Sequence, residues 1–282
     1  MRYIWLLKKT IKTFSAFKIE SVNSFDFSTV EYSKFKFGAN NIARKFGYIL
    51  ADKFINDSFQ ENYTGKPIVV LPSAYAFIPT ASYHMAMHFA DKLNFFLYSN
   101  NFSPIEVGKI SRNVTYREDY GEMSAEQRFN LIKDDKFHMD FEVLKDKILI
   151  FVDDIKITGT HEKIILKMLE NYDIQNEYYL LYFAELINHN ICPTIENHLN
   201  YSFVKSLSEL DYIIKNEEFV LNTRVVKYIL NSNYNDFNDF MSMQSKRFLI
   251  ELFYNSIGNE YYQFIEYQQN IKLLENILFK VN

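Results

Sequence analysis

Short runs of apolar residues alternate along the chain with segments whose apolar residues recur at helical spacing. An apolar run without polar alternation is typical of a strand that is buried on both faces of a parallel sheet. The predicted strands cover residues 68–71, 95–98, 105–110, 147–152 and 177–183. The predicted helices cover residues 37–55, 81–93, 124–132 and 164–169. Strands that alternate with helices indicate an α/β fold with a mostly parallel, doubly wound sheet.

The two ends of the chain lack this alternation. Residues 1 to about 30 mix apolar and polar positions, which predicts an extended or irregular lead-in. Beyond about residue 200 the strand pattern stops, and residues 225–230, 247–253 and 261–278 carry apolar positions at helical period. We therefore predict a lead-in over 1–30, an α/β domain over 31–200 and a C-terminal helical appendage over 201–282.

The composition narrows the class of protein. With 282 residues, 48% of them apolar and 23% charged, the chain is able to bury a large core. Its net charge of -4 argues against the basic surface that nucleic acid requires, so we predict no nucleic-acid partner. The single cysteine, Cys192, excludes an internal disulfide and fits a reducing compartment. No apolar run reaches the length of a membrane span, and we predict a cytoplasmic protein without membrane contact.

The most informative segment begins where the strand predicted at 147–152 ends. Asp153 and Asp154 follow that strand directly, and Thr158, Gly159 and Thr160 precede the next helix. Ligands of open α/β sheets bind at the carboxyl ends of the strands. Backbone N–H groups at a helix start and threonine hydroxyls suit a phosphate group, and the glycine permits its close approach.

Two carboxylates accept hydrogen bonds from sugar hydroxyls, or hold Mg²⁺ through water. An acid pair after a strand also serves as a simple helix cap, but the whole combination favours a ribose-phosphate pocket.

This segment resembles the phosphoribosyl-diphosphate signature of type I phosphoribosyltransferases, and the resemblance covers roughly residues 30–190. It implies a sheet of that family's kind, with Asp153 and Asp154 at the ribose hydroxyls and the metal. The residues implied to hold the 5-phosphate are Thr158, Gly159, Thr160 and the backbone N–H of His161. Ile157 stands where some purine-salvage members carry a catalytic aspartate, so the resemblance implies no general base at that position.

Two further segments resemble the family's diphosphate site. Ser73, Ala74 and Tyr75 stand where many members have a glycine-rich loop that binds pyrophosphate through the main chain, although this chain has no glycine there. Lys109, Arg112 and Arg117 fall in the stretch where the family has a mobile basic loop. The resemblance implies that Lys109 or Arg112 stabilises the charge on departing pyrophosphate, while a solvated loop is the alternative.

One branch of the family is particularly similar, namely the phosphoribosyltransferase-like proteins found near bacterial tellurite-resistance-type genes. The segments that carry this similarity are Ile78–Ala81, Asp119–Tyr120, Glu126–Arg128 and Thr158–Glu162. The resemblance implies an Mg²⁺-dependent enzyme that transfers a 5-phosphoribosyl group from phosphoribosyl diphosphate to an unidentified nitrogenous acceptor. The helical tail is expected to cover the acceptor or to form a homodimer surface.

Other functions stay open at this point. A non-catalytic sensor or interaction protein that keeps the ribose-phosphate pocket is favoured by the missing glycine loop. A nucleotide hydrolase on a related sheet would need a water-activating base near Asp153, and the sequence shows none. His84 and His88 stand one helical turn apart, but the zincin pattern needs Glu at the position of Met85. We therefore expect helix-surface or partly buried histidines there.

Overall fold

The computed structural model describes residues 12–112, 137–138 and 144–279. Within these residues the strands are β1 (Lys12–Ile19), β2 (Ile68–Pro72), β3 (Glu106–Val107), β4 (Ser111–Arg112), β5 (Phe137–His138), β6 (Ile148–Lys156) and β7 (Tyr178–Leu186). Five of them form one sheet in the order β1-β7-β6-β2-β3, and every neighbouring pair in it is parallel. The described parts of β4 and β5 form a small antiparallel pair. The predicted α/β fold with a parallel sheet is therefore confirmed.

Helices connect the strands and make up the C-terminal part of the described chain. They are α1 (Thr29–Lys36), α2 (Asn40–Phe54), α3 (Ala81–Ser99), α4 (Thr160–Asn171), α5 (Ile195–Asn200), α6 (Leu207–Asn216), α7 (Thr223–Leu230), α8 (Tyr234–Ser242), α9 (Lys246–Gly258) and α10 (Ile265–Phe279). A π-helical turn at Ile55–Phe59 extends α2, and a 3₁₀ turn at Tyr261–Gln263 precedes α10. Among the described helices, none combines the length and the hydrophobicity that crossing a membrane requires.

Successive side chains of β6 enter two different cores, one on each face of the sheet. Ile150 and Val152 belong to the larger core, together with residues of α2 and α3. Leu149 and Phe151 belong to a smaller core under α4, which supplies Met168 to it. Because side chains alternate along a strand, the next two residues of β6 also lie on opposite faces.

The structure differs from the sequence prediction in two segments. The predicted lead-in contains a regular strand, β1, which pairs in parallel with β7 at the edge of the sheet. It is only partly buried and mixes polar with apolar residues, so it lacks the fully apolar run of the inner strands. The strand predicted at 95–98 belongs instead to α3. Phe95 and Tyr98 are 65% and 79% exposed there, whereas Leu97 is buried and Phe96 is partly buried against the core.

The C-terminal helices are present as predicted, and they pack into the same core as the sheet. Leu210, Val225 and Leu274 are fully buried and belong to the core cluster that contains Ile150 of β6. This part of the chain is therefore packed against the α/β unit. The domain boundary placed near residue 200 stays a prediction, and the helix predicted at 124–132 lies outside the described residues.

We expect that the substitution Phe183→Ala destabilises the fold by about 3–5 kcal/mol, because it opens a cavity in the core. Phe183 is fully buried on β7 and stacks on Phe46 of α2, with 4.1 Å between ring centroids. Phe17 of β1 meets the same ring edge-on at 5.0 Å. Urea unfolding measures the change, and Tyr98→Ala on the exposed end of α3 is the control, expected to stay within about 0.5 kcal/mol. Equal losses in the two variants would contradict the assigned packing.

Candidate functional site

The acidic pair lies inside β6, since this strand continues to Lys156. Asp153 pairs with Tyr182 of β7, and Lys156 pairs with Glu185 of the same strand. The sequence analysis ended the strand at residue 152, where the apolar run stops. The continued strand has a chemical consequence, because it forces the two adjacent carboxylates onto opposite faces of the sheet.

Asp153 lies on the α4 face and is held by three hydrogen bonds. Its Oδ1 accepts from the Ser73 hydroxyl at 2.7 Å and from the Asp154 N–H at 2.9 Å. Its Oδ2 lies 3.1 Å from Nδ1 of His161, the second residue of α4. Burial by itself would raise the pKa of Asp153, but His161 and the Ser73 hydroxyl hold this pKa well below its usual value. Asp153 is therefore a fixed, charged acceptor at the carboxyl end of β6.

A row of hydroxyl groups fixes Ser73 beside this carboxylate. The Ser82 hydroxyl donates to Ser73 Oγ at 2.8 Å, and Thr80 Oγ1 lies 2.9 Å from Ser82 Oγ. Thr80 also caps α3, since its Oγ1 accepts from the Tyr83 N–H at 3.2 Å. The loop after β2 is thus connected to Asp153 through the first turn of α3.

Asp154 lies on the other face and is almost completely buried, at 5% exposure. Its Oδ2 accepts from the Tyr32 hydroxyl at 2.6 Å and from the Lys36 ammonium at 2.5 Å. Burial is the main reason that the pKa of Asp154 lies above its usual value, although Lys36 opposes the rise. Burial also raises the pKa of Tyr32 well above its usual value, so the phenol keeps its proton. These contacts attach α1 to β6.

Sequence reasoning missed Tyr32 and Lys36. The two residues stand one helical turn apart on α1, which places them on one side of that helix. This spacing is common in helices and carries no chemical signature by itself. Only the fold shows that this side of α1 faces the acidic pair.

The predicted phosphate loop begins α4 and has the conformation that an anion site requires. Gly159 precedes the helix with φ of 67°, in the left-handed region that glycine adopts without strain. The hydroxyl oxygens of Thr158 and Thr160 lie 2.7 Å apart beside it. The first N–H groups of an α-helix have no partner within the helix, and here they follow the glycine. The turn lies at the positive end of the α4 dipole, a geometry that suits an anion.

The predicted diphosphate loop uses one of its expected donors elsewhere. The N–H of Tyr75 donates to Ile110 O at 3.3 Å and joins the loop to the segment after β3. Lys109 lies against the same loop, with its Nζ 3.4 Å from Ala76 O and 4.5 Å from the centre of the Tyr75 ring. This cation therefore lies beside the loop that resembles the pyrophosphate site. Ala74 is partly buried and packs against the core under α4.

The two remaining basic candidates are Arg112 and Arg117. Arg112 lies in β4, next to Ser111, whose backbone bridges to Tyr75. The structure therefore brings this position close to the loop after β2. Arg117 lies outside the described residues.

The acid pair does not fit a metal ion held by both carboxylates. Asp153 and Asp154 lie on opposite faces, and the second is already bonded to an ammonium group. Within the described residues, no group of three or more acidic, histidine or cysteine side chains is placed to hold a metal. Of the two histidines one helical turn apart, His84 has its pKa lowered to about 4 by burial, and His88 has its Nε2 3.0 Å from Asn40 Oδ1.

The parallel sheet, with an acid pair in β6 and a Thr-Gly-Thr turn at the start of α4, has the arrangement of a phosphoribosyltransferase-type fold. The sequence pattern of the PRTase ComF-like family matches residues 10–274, and the chain belongs to this family. The match includes β1 and nearly all of the C-terminal helices.

Two crystal structures of a hypoxanthine phosphoribosyltransferase from Staphylococcus aureus are also similar to the chain, each at 13% identity. The tetragonal form matches over 53% of this chain and 75% of its own, with a TM-score of 0.31. The orthorhombic form matches over 57% and 77%, with a TM-score of 0.28. These similarities are weak and add nothing to the family match. No curated protein matches the chain.

We expect that Lys36→Met lowers stability by about 3–5 kcal/mol, because it leaves the buried Asp154 carboxylate without its counter-charge. Adding Asp154→Asn to that variant is expected to restore part of the loss, since the uncompensated charge is then absent. Urea unfolding at pH 7 measures both. Lys45→Met, which breaks the exposed pair between α2 and Glu31, is the control and is expected to cost at most about 1 kcal/mol. A small loss for Lys36→Met and no recovery in the double variant would count against the buried pair.

The low pKa of Asp153 predicts an acid-dependent contribution to stability. Its folded pKa lies below the unfolded value of 3.8, so the folded state favours the charged form. The stabilisation is therefore present above the unfolded pKa and is lost as pH falls through the lower, folded pKa. We expect the stability difference between wild type and Asp153→Asn to shrink between about pH 5 and pH 3. Urea unfolding at several pH values tests this, and a difference that does not vary with pH would rule out the charged native carboxylate.

Proposed function

We propose that this protein is a phosphoribosyltransferase, which transfers a 5-phosphoribosyl group from phosphoribosyl diphosphate to a nitrogenous acceptor and releases pyrophosphate. One observation supports the proposal: the Thr158–Thr160 turn at the start of α4 and the charged Asp153 carboxylate lie together at the end of β6. The contact of 3.1 Å between His161 and Asp153 joins the first turn of α4 to that carboxylate. A ribose 5-phosphate needs this combination, an anion site for the phosphate and an acceptor for the ring hydroxyls.

The reaction exchanges one bond at C1 of the ribose for another. The bond from C1 to the diphosphate oxygen breaks, and its electron pair leaves on pyrophosphate. A lone pair of the acceptor nitrogen forms the new C1–N bond, and the proton of that nitrogen passes to pyrophosphate or to solvent. The ribose gains positive character as the first bond breaks, so a fixed carboxylate nearby stabilises it.

Each described residue of the site has a distinct role in this proposal. Asp153 accepts hydrogen bonds from the ribose hydroxyls, and the loop Thr158–Thr160 anchors the 5-phosphate so that C1 is oriented for attack. Lys109, or Arg112 three positions later in the sequence, neutralises the charge on the departing pyrophosphate. Asp154 is buried and bonded to α1, so we assign it the role of holding α1 against β6. Magnesium accompanies the donor in the family, but the acid pair does not fit as its joint ligands.

A second candidate is a non-catalytic protein that binds phosphoribosyl diphosphate or a nucleotide. Two features of the loop after β2 favour this non-catalytic function. The loop contains no glycine, and the Tyr75 N–H is bonded to Ile110 O rather than presented to a ligand. A protein that binds the 5-phosphate and ribose without holding the diphosphate for departure would act as a sensor.

Both candidate functions require the protein to bind phosphoribosyl diphosphate, and calorimetry with this ligand and Mg²⁺ tests whether it does. We expect wild type to bind, and Asp153→Asn to bind roughly tenfold or more weakly, because a charged hydrogen-bond acceptor is lost. Asp173→Asn, in the exposed turn that follows α4, is the control and is expected to bind as wild type does. No binding by wild type would contradict the proposal.

Turnover decides between the two candidates. Pyrophosphate release is measured with phosphoribosyl diphosphate and a panel of purines, pyrimidines, pyridine carboxylates and amines. Release that depends on the acceptor supports the transferase, and binding without release throughout the panel supports the sensor. The cytoplasmic location, a homodimer, the lack of a nucleic-acid partner and the link to tellurite-resistance-type genes stay predictions.

A further inference from the structure

The C-terminal helices hold the loop after β2 from behind. Asn259, at the end of α9, is 3% exposed, and its side-chain oxygen accepts from the N–H groups of both Phe77 and Ile78 at 3.1 Å. One amide oxygen thus satisfies two consecutive backbone donors of a loop that has no regular secondary structure. The donors lie 182 and 181 residues away from it in the chain.

A second pair of contacts holds the next residue of the same loop. The N–H of Thr223, the first residue of α7, donates to Pro79 O at 3.0 Å, and its hydroxyl reaches the same oxygen at 3.3 Å. Gly258 lies directly against the ring of Phe77, since a Cβ placed on that glycine would approach the ring to 2.5 Å. The segment Phe77–Pro79 is therefore fixed by α7 and α9 together.

The other end of this loop belongs to the candidate site. The Ser73 hydroxyl donates to Asp153 at 2.7 Å. The Lys109 ammonium lies over the ring of Tyr75 and donates to the carbonyl oxygen of Ala76. Any shift of residues 77–79 therefore moves the backbone on which Lys109 rests. The Thr158–Thr160 turn, in contrast, follows β6 and begins α4. The clamp acts on the loop after β2, whereas this turn belongs to the next strand in the sheet.

We propose that Asn259 is a positioning residue for the diphosphate half of the donor, and that the C-terminal helices set the shape of this subsite. The inference rests on the proposed function and gives the C-terminal helices a role in ligand binding. A glycine-rich loop would present its N–H groups to a ligand. In this loop the N–H groups of Phe77 and Ile78 donate to Asn259 instead. A loop held in this way binds the diphosphate through the side chains it carries, above all Lys109. Fixing the loop in advance lowers the entropy lost on binding.

Two ligands separate positioning from a merely structural role. Phosphoribosyl diphosphate and ribose 5-phosphate share the 5-phosphate and the ring hydroxyls, and only the first carries a diphosphate. We expect Asn259→Ala to bind phosphoribosyl diphosphate roughly tenfold or more weakly, with affinity for ribose 5-phosphate within about twofold of wild type. Asn259→Asp keeps an oxygen that accepts from both N–H groups and is expected to rescue most of the loss. Calorimetry with Mg²⁺ measures the affinities of wild type and of both variants for each of the two ligands.

Asn255→Ala is the matched control, because the Asn255 side chain on α9 bonds only to Glu251 O of its own helix among the contacts described. We expect it to bind both ligands as wild type does. Hydrogen exchange at the Phe77 and Ile78 amides, expected to be faster in Asn259→Ala, reports the clamp without any ligand.

The outcomes are distinct. An equal loss of affinity for both ligands in Asn259→Ala, or no loss for either, overturns the positioning role. If wild type still binds phosphoribosyl diphosphate and Asp153→Asn weakens it, the proposed function stands without this inference. A wild type that binds neither ligand overturns both.

Discussion

The alternation of side chains along β6 is the constraint on which the site depends. Two neighbouring aspartates in a strand must face opposite sides of a sheet, and here the two sides differ completely. Asp153 meets hydroxyl groups, an imidazole and the start of a helix, whereas Asp154 meets an ammonium group inside the core. Asp153 is thereby the carboxylate to which we assign the ligand in our proposal, and Asp154 joins α1 to the sheet. A shift of the strand by one residue would exchange these environments.

The loop after β2 shows how a chain with few glycines builds a shaped binding loop. The whole chain has seven glycines, and the one in the Thr158–Thr160 turn is required by its left-handed backbone. The loop after β2 contains none, and its conformation is set by partners outside it. Helices from the end of the sequence supply those partners, and the family match extends almost through these helices. The tail is thus part of the unit that forms the site.

The parts of the fold that the sequence predicted are those with a local cause. Inner strands appear as apolar runs, and the turn before α4 appears because Thr158, Gly159 and Thr160 stand together where a strand turns into a helix. β1 was missed because an edge strand is only half buried, and 95–98 was misassigned because a short apolar run does not distinguish strand from helix. Lys36 and Asn259 have no local signal at all. Each meets its partner across more than one hundred residues, so only the packed structure identifies them.

The position of β1 imposes an order on the assembly of this protein during synthesis. β1 is synthesised before the other described strands, but its only partner in the described sheet is β7, and Lys12 pairs with a residue 167 positions later. At typical rates of translation, roughly 10 to 30 s pass before β7 follows. Through that interval Phe14 and Phe17 have no sheet to pack on, and Asn259 emerges later still. Until β7 and then Asn259 are synthesised, the nascent chain carries an unpaired strand with exposed aromatic residues and a loop without its C-terminal contacts, a state that a chaperone is suited to shield.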